Sequence, residues 1–126
     1  MDVHQPARGN VLVVDDDNDV RDALTAILED EGYQVTSVAN GLDALNYLRA
    51  ALPPCLILLD LMMPVMDGWL FRTTQMRDPA LASIPVVVLS AFSNVPRLVA
   101  NLNVADYIQK PVELETLLTT VERYCG

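Results

Sequence analysis

Three short apolar runs, each ending at a polar residue, constrain the fold of this chain more than any other feature. NVLVV (10–14) runs into consecutive aspartates, CLILLD (55–60) ends on Asp60, and VVVLS (86–90) ends on Ser90. Short apolar runs bounded by charged residues are typical of strands whose two faces are both covered, as in a parallel sheet between helices. The three runs therefore predict the central strands of such a sheet.

The segments around these runs favour helices and two further strands. YQVTSV (33–38) and ADYIQ (105–109) are strand candidates. Apolar residues recur at helical spacing in the remaining segments, with Gly32 as a stop and Asn40 as an N-cap. The residues expected to face inward are Val20, Leu24, Ile27, Leu28, Leu42, Leu45, Leu48, Leu70, Phe71, Thr74, Leu114, Leu117, Leu118 and Val121. Five strands alternating with five helices predict one doubly wound α/β domain.

Polar residues stand where the predicted strands end. Asp15 and Asp16 follow the first strand, Asp60 ends the third, Ser90 ends the fourth, and Lys110 follows the fifth. In parallel sheets these ends share one edge, and ligands bind beyond it at a switch point. Clustered carboxylates without histidine or cysteine favour a hard divalent cation such as Mg²⁺.

Each of these residues taken alone also has an ordinary structural explanation. The aspartates at 15–17 could cap the first helix, because acidic groups favour helix N-termini. Asp60 could cap a loop, Ser90 could be a common strand-end hydroxyl, and Lys110 could be solvated. Their coincidence at successive strand ends is what favours a functional site.

Charge and composition exclude several classes of function. Seventeen acidic residues against eight basic ones give a net charge of −9, which argues against direct nucleic-acid binding. No apolar run approaches the roughly 20 residues of a membrane span. Residues 1–9 are polar and predict a flexible tail, which holds the single histidine, His4. Cys55 and Cys125 are expected to be reduced thiols of a cytoplasmic protein.

Four segments in order, VLVVDDD, LILLDLMMPVMDG, VVVLSA and YIQKP, resemble the receiver domain of bacterial two-component response regulators. The resemblance covers nearly the whole chain and implies a receiver domain at residues 10–126. It also implies the CheY-like, flavodoxin-like fold: a five-stranded parallel sheet of order 2-1-3-4-5 with five helices.

The resemblance also assigns roles around the nucleophile. Asp60 would accept a phosphoryl group from a phosphohistidine. Mg²⁺, or Mn²⁺ in its place, would be ligated by Asp16, Asp60 and the backbone carbonyl of Met62, and Asp15 would hold the ion through water. No other cofactor is expected, because the chain has no Gly-rich phosphate loop.

Three further positions match the family's switch and phosphoryl-binding residues. Lys110 would pair with the phosphoryl oxygens, and Ser90 would hydrogen-bond one of them. Tyr107 matches an aromatic switch position that responds to Ser90. The peptide bond between Lys110 and Pro111 matches one that is cis in the family, in keeping with the proline preference for cis bonds.

The implied partners are proteins. A sensor histidine kinase or a histidine phosphotransfer protein would donate the phosphoryl group, and a downstream protein or effector domain would read the result. A phosphorylation-dependent homodimer is among the forms expected. The domain would be cytoplasmic, without nucleic-acid or membrane contact, and would catalyse only its own phosphorylation and dephosphorylation.

One segment departs from the family pattern. The stretch from Ser90 to Lys110 is shorter than in familiar members, contains Pro96, and has Asn103 where glycine is frequent. It predicts a short or irregular fourth helix at about residues 96–102.

Three other functions remain open. A pseudo-receiver would bind proteins without being phosphorylated. A metal-dependent phosphatase with an aspartyl nucleophile would want a second acid at position 62, where Met62 stands. A flavin carrier of the same fold would want a hydroxyl- and glycine-rich loop after the first strand, where this chain has DDDND.

Overall fold

The computed structural model describes residues 8–126 and confirms the predicted parallel sheet. Its strands are β1 Asn10–Val14, β2 Gln34–Val38, β3 Leu56–Asp60, β4 Val86–Ser90 and β5 Asp106–Gln109. All neighbouring strands pair in parallel, in the order β2-β1-β3-β4-β5. The carboxyl ends of β1 and β3 therefore lie side by side at the point where the strand order reverses.

Four helices connect the strands, and a fifth follows β5. They are α1 Asn18–Asp30, α2 Gly41–Ala50, α3 Gly68–Met76, α4 Val95–Leu98 and α5 Leu114–Cys125. None of the helices within residues 8–126 is long and apolar enough to cross a membrane.

The sheet separates two apolar cores, because alternate side chains of each strand point to opposite faces. Leu12 of β1 packs in the core that contains α2 and α3. Val13 packs in the core that contains α1 and α5. Every residue of β3 and β4 is buried, which explains why these strands are continuous apolar runs.

The inward face of α3 differs from the expectation. Leu70 is 52% exposed, whereas Phe71, Arg72 and Gln75 are buried. The spacing of apolar residues predicted that Leu70 faces inward. This pattern takes no account of polar residues, and the core face of α3 includes the charged side chain of Arg72 and the amide of Gln75. The prediction was wrong here because the buried polar side chains find hydrogen-bond partners.

Helix α4 has only four residues, which confirms the predicted short or irregular helix. Arg72 of α3 binds the segment that follows α4. Its guanidinium donates to the backbone oxygens of Leu102 at 3.1 Å and Asn103 at 2.5 Å, and to Gln75 Oε1 at 2.8 Å. Asn103 adopts the left-handed conformation, with φ of 53°. Arg72 thus holds the turn that leads into β5.

The two cysteines do not match the expectation of reduced thiols. Cys55, which immediately precedes β3, and Cys125, in the last turn of α5, form a disulfide with a Cα–Cα separation of 5.4 Å. They are 70 residues apart in sequence, so spacing gave no indication that the fold brings them together.

The predicted tail falls mostly outside the described residues, as does His4. Arg8 and Gly9 are hydrogen-bonded to the β2 region, through Arg8 N–H to Gly32 at 3.1 Å and Gln34 N–H to Gly9 at 2.8 Å. The Arg8 guanidinium also lies over the Tyr33 ring, 4.9 Å from its centroid.

We expect Arg72→Lys to lower the free energy of unfolding by about 1.5–3 kcal/mol, because an ammonium cannot reproduce the three hydrogen bonds of the buried guanidinium. Urea unfolding measures the change. The matched control, Arg49→Lys on the exposed surface of α2, should stay within about 0.5 kcal/mol of the parent. Equal effects of the two substitutions would contradict this role of Arg72.

Candidate functional site

Three carboxylates converge at the carboxyl edge of the sheet. Asp15 directly follows β1, Asp16 comes next, and Asp60 is the last residue of β3. One oxygen from each lies within 4.8 Å of the others. The parallel pairing of β1 with β3 brings the three together.

The three consecutive aspartates after β1 have separate roles. Asp17 is the N-cap of α1 and accepts hydrogen bonds from the backbone N–H groups of Asp19 and Val20. Asp15 is fully buried and accepts from the Asp17 N–H at 2.9 Å, whereas Asp16 is exposed. The capping explanation therefore applies to Asp17, and the other two carboxylates belong to the site.

Lys110 brings one positive charge to this cluster from the end of β5. Its Nζ donates to Asp15 Oδ2 at 2.7 Å and lies 3.9 Å from Asp60 Oδ1. Its backbone N–H donates to the backbone oxygen of Ser90 at 2.7 Å. The Lys110–Pro111 peptide bond is cis, as expected. The ammonium thus reaches across the site from the opposite side of β3.

The carboxylate of Asp60 is held in an unfavourable environment for its charge. Burial raises its pKa from 3.8 to about 6, and the neighbouring charges of Asp15 and Asp16 act in the same direction. Lys110 and the Met62 backbone N–H oppose this rise in pKa. The balance leaves Asp60 a carboxylate that gains from any additional cation.

The donor set fits a hard divalent cation. Its three carboxylates outnumber the single ammonium, and oxygen is the ligand that Mg²⁺ prefers. Asp16 keeps one side of the cluster open to solvent, which suits an ion that retains several waters. Met62 lies two residues beyond Asp60 in the loop, with its side chain 56% exposed.

Ser90 and Tyr107 lie on the two strands beyond β3. Ser90 is 1% exposed, and its hydroxyl accepts a hydrogen bond from the Phe92 N–H at 3.1 Å. Tyr107 is 41% exposed and sits on β5 opposite Val88. In this state the serine hydroxyl is bound to its own loop and the tyrosine ring faces outward.

Gly68 is a site residue whose role the sequence did not reveal. A Cβ at this position would lie 2.5 Å from the Asp60 backbone oxygen and 2.8 Å from Leu61 Cα. Its N–H donates to the Leu61 oxygen at 2.8 Å. The absence of a side chain at Gly68 lets α3 begin against the end of β3.

Arg21 was also missed. From the second turn of α1 it donates to the Asp15 backbone oxygen at 2.7 Å and so fixes the position of the buried carboxylate. Nothing in the sequence separates it from an ordinary helix-surface arginine.

Comparison with known proteins identifies close relatives of this site and fold. The family model for the response regulator receiver domain matches residues 11–122. A protein of Leptolyngbya boryana, described as an uncharacterized 14.6 kDa protein in the sodA1 3′ region, is 38% identical over 121 residues, covering 94% of this chain and 92% of that protein.

Two further relatives are a response regulator and a domain of a histidine kinase. The response regulator MprA of Mycobacterium avium is 40% identical over 110 residues; the match covers 86% of this chain and 47% of MprA, so the chain spans about half of that relative. The signal receiver domain of a signal transduction histidine kinase from Syntrophus aciditrophicus superposes with a TM-score of 0.84 at 34% identity, over 93% of this chain and 89% of that one.

The raised pKa of Asp60 predicts a pH-dependent effect of Asp60→Asn on the metal-free protein. The folded state holds this proton more tightly than the unfolded state, so the carboxyl contributes stability that is full below about pH 4 and lost as pH rises through about 6. The substitution should therefore stabilise the protein by about 1–2 kcal/mol at neutral pH and lose this advantage toward about pH 4.

Denaturant unfolding in chelator across this pH range measures the difference between variant and parent. Asp30→Asn, at the exposed end of α1, is the matched control and should stay within about 0.5 kcal/mol of the parent. A pH-independent effect of Asp60→Asn would contradict the argument.

Proposed function

The chain belongs to the response regulator receiver domain family, and from this premise we propose that it accepts a phosphoryl group on Asp60 and signals through protein contacts. The donor is a phosphohistidine on a sensor histidine kinase or a histidine phosphotransfer protein. Members of the family are signalling domains rather than enzymes that turn over a free substrate. The chemistry of this chain is then its own phosphorylation and dephosphorylation.

One observation carries the proposal. A nucleophilic carboxylate at the end of the central strand faces an ammonium 3.9 Å away and two further carboxylates within 4.8 Å. Phosphoryl transfer requires mainly positioning and neutralisation of charge on the transferred group. Asp60 supplies the nucleophile, and Lys110 supplies a fixed positive charge beside it.

The transfer itself exchanges one bond for another. An oxygen of Asp60 bonds to phosphorus while the phosphorus–nitrogen bond of phosphohistidine breaks, and the imidazole leaves with the electron pair and takes up a proton. Asp15, Asp16, Asp60 and the Met62 carbonyl would hold Mg²⁺, or Mn²⁺ in its place. When bound, this ion supplies positive charge against the phosphoryl oxygens.

Ser90 and Tyr107 would convert the new phosphoryl group into a change of surface. The Ser90 hydroxyl, whose oxygen accepts from the Phe92 N–H, would donate its own hydrogen to one of the added oxygens, and Lys110 would be drawn from Asp15 toward the new charge. Movement of Ser90 would open space for the exposed ring of Tyr107 to turn inward. The face formed by α4, β5 and α5 is then the surface that reports phosphorylation.

The location, the output and the oligomeric state of the domain are proposed from its family. We place the domain in the cytoplasm and assign its output to a downstream protein or an effector domain. Phosphorylation-dependent homodimerisation is included in the proposal. The match covers 47% of MprA, so that relative has a further region beside the matched domain.

Incubation with Mg²⁺ and acetyl phosphate should add one phosphoryl group to the parent protein and none to Asp60→Asn, because the amide cannot act as the nucleophile. Intact-mass spectrometry measures the gain. Chelation of the metal should lower the phosphorylated fraction by about tenfold or more, since the acidic cluster then repels the donor.

Asp30→Asn is the control and should be phosphorylated like the parent. A parent protein that gains no mass with either Mg²⁺ or Mn²⁺ would favour the pseudo-receiver, a protein-binding module of the same fold. Equal gain in Asp60→Asn would place the nucleophile elsewhere.

A further inference from the structure

The disulfide lies at the edge of the sheet opposite the carboxylate cluster. Cys55 immediately precedes β3, the strand that carries Asp60 at its other end, and Cys125 is in the last turn of α5. Both cysteines are only partly buried. The bond therefore joins the central strand to a helix of the proposed output face at a position that a small reductant can reach.

The surroundings of Cys55 accommodate both oxidation states. Its sulfur lies 3.2 Å from the Asn10 backbone oxygen, so a thiol at this position has an acceptor ready for its S–H. The Cys55 N–H donates to the same oxygen at 2.8 Å, and this backbone hydrogen bond does not involve the sulfur. Opening the bond thus leaves the start of β3 tied to β1.

The last turn of α5 depends more on the disulfide. The deepest α5 residues, Leu117, Thr120 and Val121, all precede this turn. Beyond them Glu122 and Arg123 are exposed, Tyr124 and Cys125 pack against the core only partly buried, and the other anchors are hydrogen bonds near the surface. Tyr124 donates to the Ala105 oxygen at 3.3 Å, and Arg8 donates to the Gly126 oxygen at 3.0 Å. Without the covalent bond the turn is held weakly.

This turn contributes directly to the proposed output face. Arg123, two residues before Cys125, pairs with Asp106 at 3.1 Å, and Asp106 precedes Tyr107 on β5. A groove of about 420 Å³ lies here, and its lining includes Arg123, Asp106, Tyr107, Glu115 and Thr119. Loosening the turn would release Arg123 from Asp106 and reshape the groove beside Tyr107.

We propose that Cys55 and Cys125 are a redox-responsive pair that sets the order of the last turn of α5 and hence the shape of this groove. A dithiol reductant supplies two electrons and two protons: the S–S bond breaks, Cys55 and Cys125 become thiols, and the dithiol becomes a disulfide. The proposal rests on the proposed function in one respect, the cytoplasmic location. There persistent structural disulfides are rare, and those that occur are mostly transient and redox-sensing.

Hydrogen–deuterium exchange on the purified chain tests the proposal. The chain is oxidised with glutathione disulfide or reduced with dithiothreitol, and alkylation followed by mass spectrometry counts the thiols. Reduction should expose two thiols reversibly and speed exchange of the 122–125 amides by about tenfold. The amides of β3 and α1 should exchange at unchanged rates.

The double variant Cys55→Ser with Cys125→Ser should exchange like the reduced protein under both conditions. Three results would overturn the proposal: a pair that never oxidises, unchanged exchange in 122–125 after reduction, or unfolding of the whole domain, which would make the disulfide a purely structural bond. No readout involves phosphorylation, so a failure of Asp60 as acceptor would leave this test intact.

Discussion

The structure is organised around an electrostatic imbalance at one edge of a parallel sheet. Asp15 and Asp60 are buried, Asp16 lies beside them, and the Lys110 ammonium opposes their charge. Burial of a carboxylate among other carboxylates disfavours its ionised form, which is why the pKa of Asp60 rises to about 6. A divalent cation would relieve this imbalance of charge, and the proposed function uses one.

The rest of the fold keeps this imbalance in place. Both faces of β3 are covered by helices, so its last residue cannot move away from its neighbours toward solvent. Gly68 allows α3 to begin against the backbone of Asp60, and Arg21 holds the backbone of Asp15. In the proposed function this rigidity would pass a change of charge at Asp60 to the neighbouring strands, since packed elements shift between discrete arrangements rather than deform smoothly.

The strands and the residues at their ends could be predicted from the sequence, whereas several tertiary contacts could not. Continuous apolar runs ending in Asp60 and Ser90 predicted β3 and β4 to within a residue. A strand that is buried on both faces is apolar at nearly every position, which is easy to recognise in a sequence. The inward face of α3 and the disulfide could not be predicted in this way. Arg72 is buried through hydrogen bonds to loop oxygens, and Cys55 meets Cys125 only after the chain has folded. Such contacts depend on tertiary neighbours that no local spacing encodes.

The central claim is that Asp60, and no other carboxylate of the cluster, receives the phosphoryl group. Borohydride reduces the acyl phosphate of an aspartate to homoserine, so treatment after incubation with Mg²⁺ and acetyl phosphate, followed by peptide mapping, locates the modified residue. The account predicts homoserine at position 60, with Asp15 and Asp16 unchanged. Homoserine at either of those residues, or none in protein that has been shown to bind Mg²⁺, would contradict it.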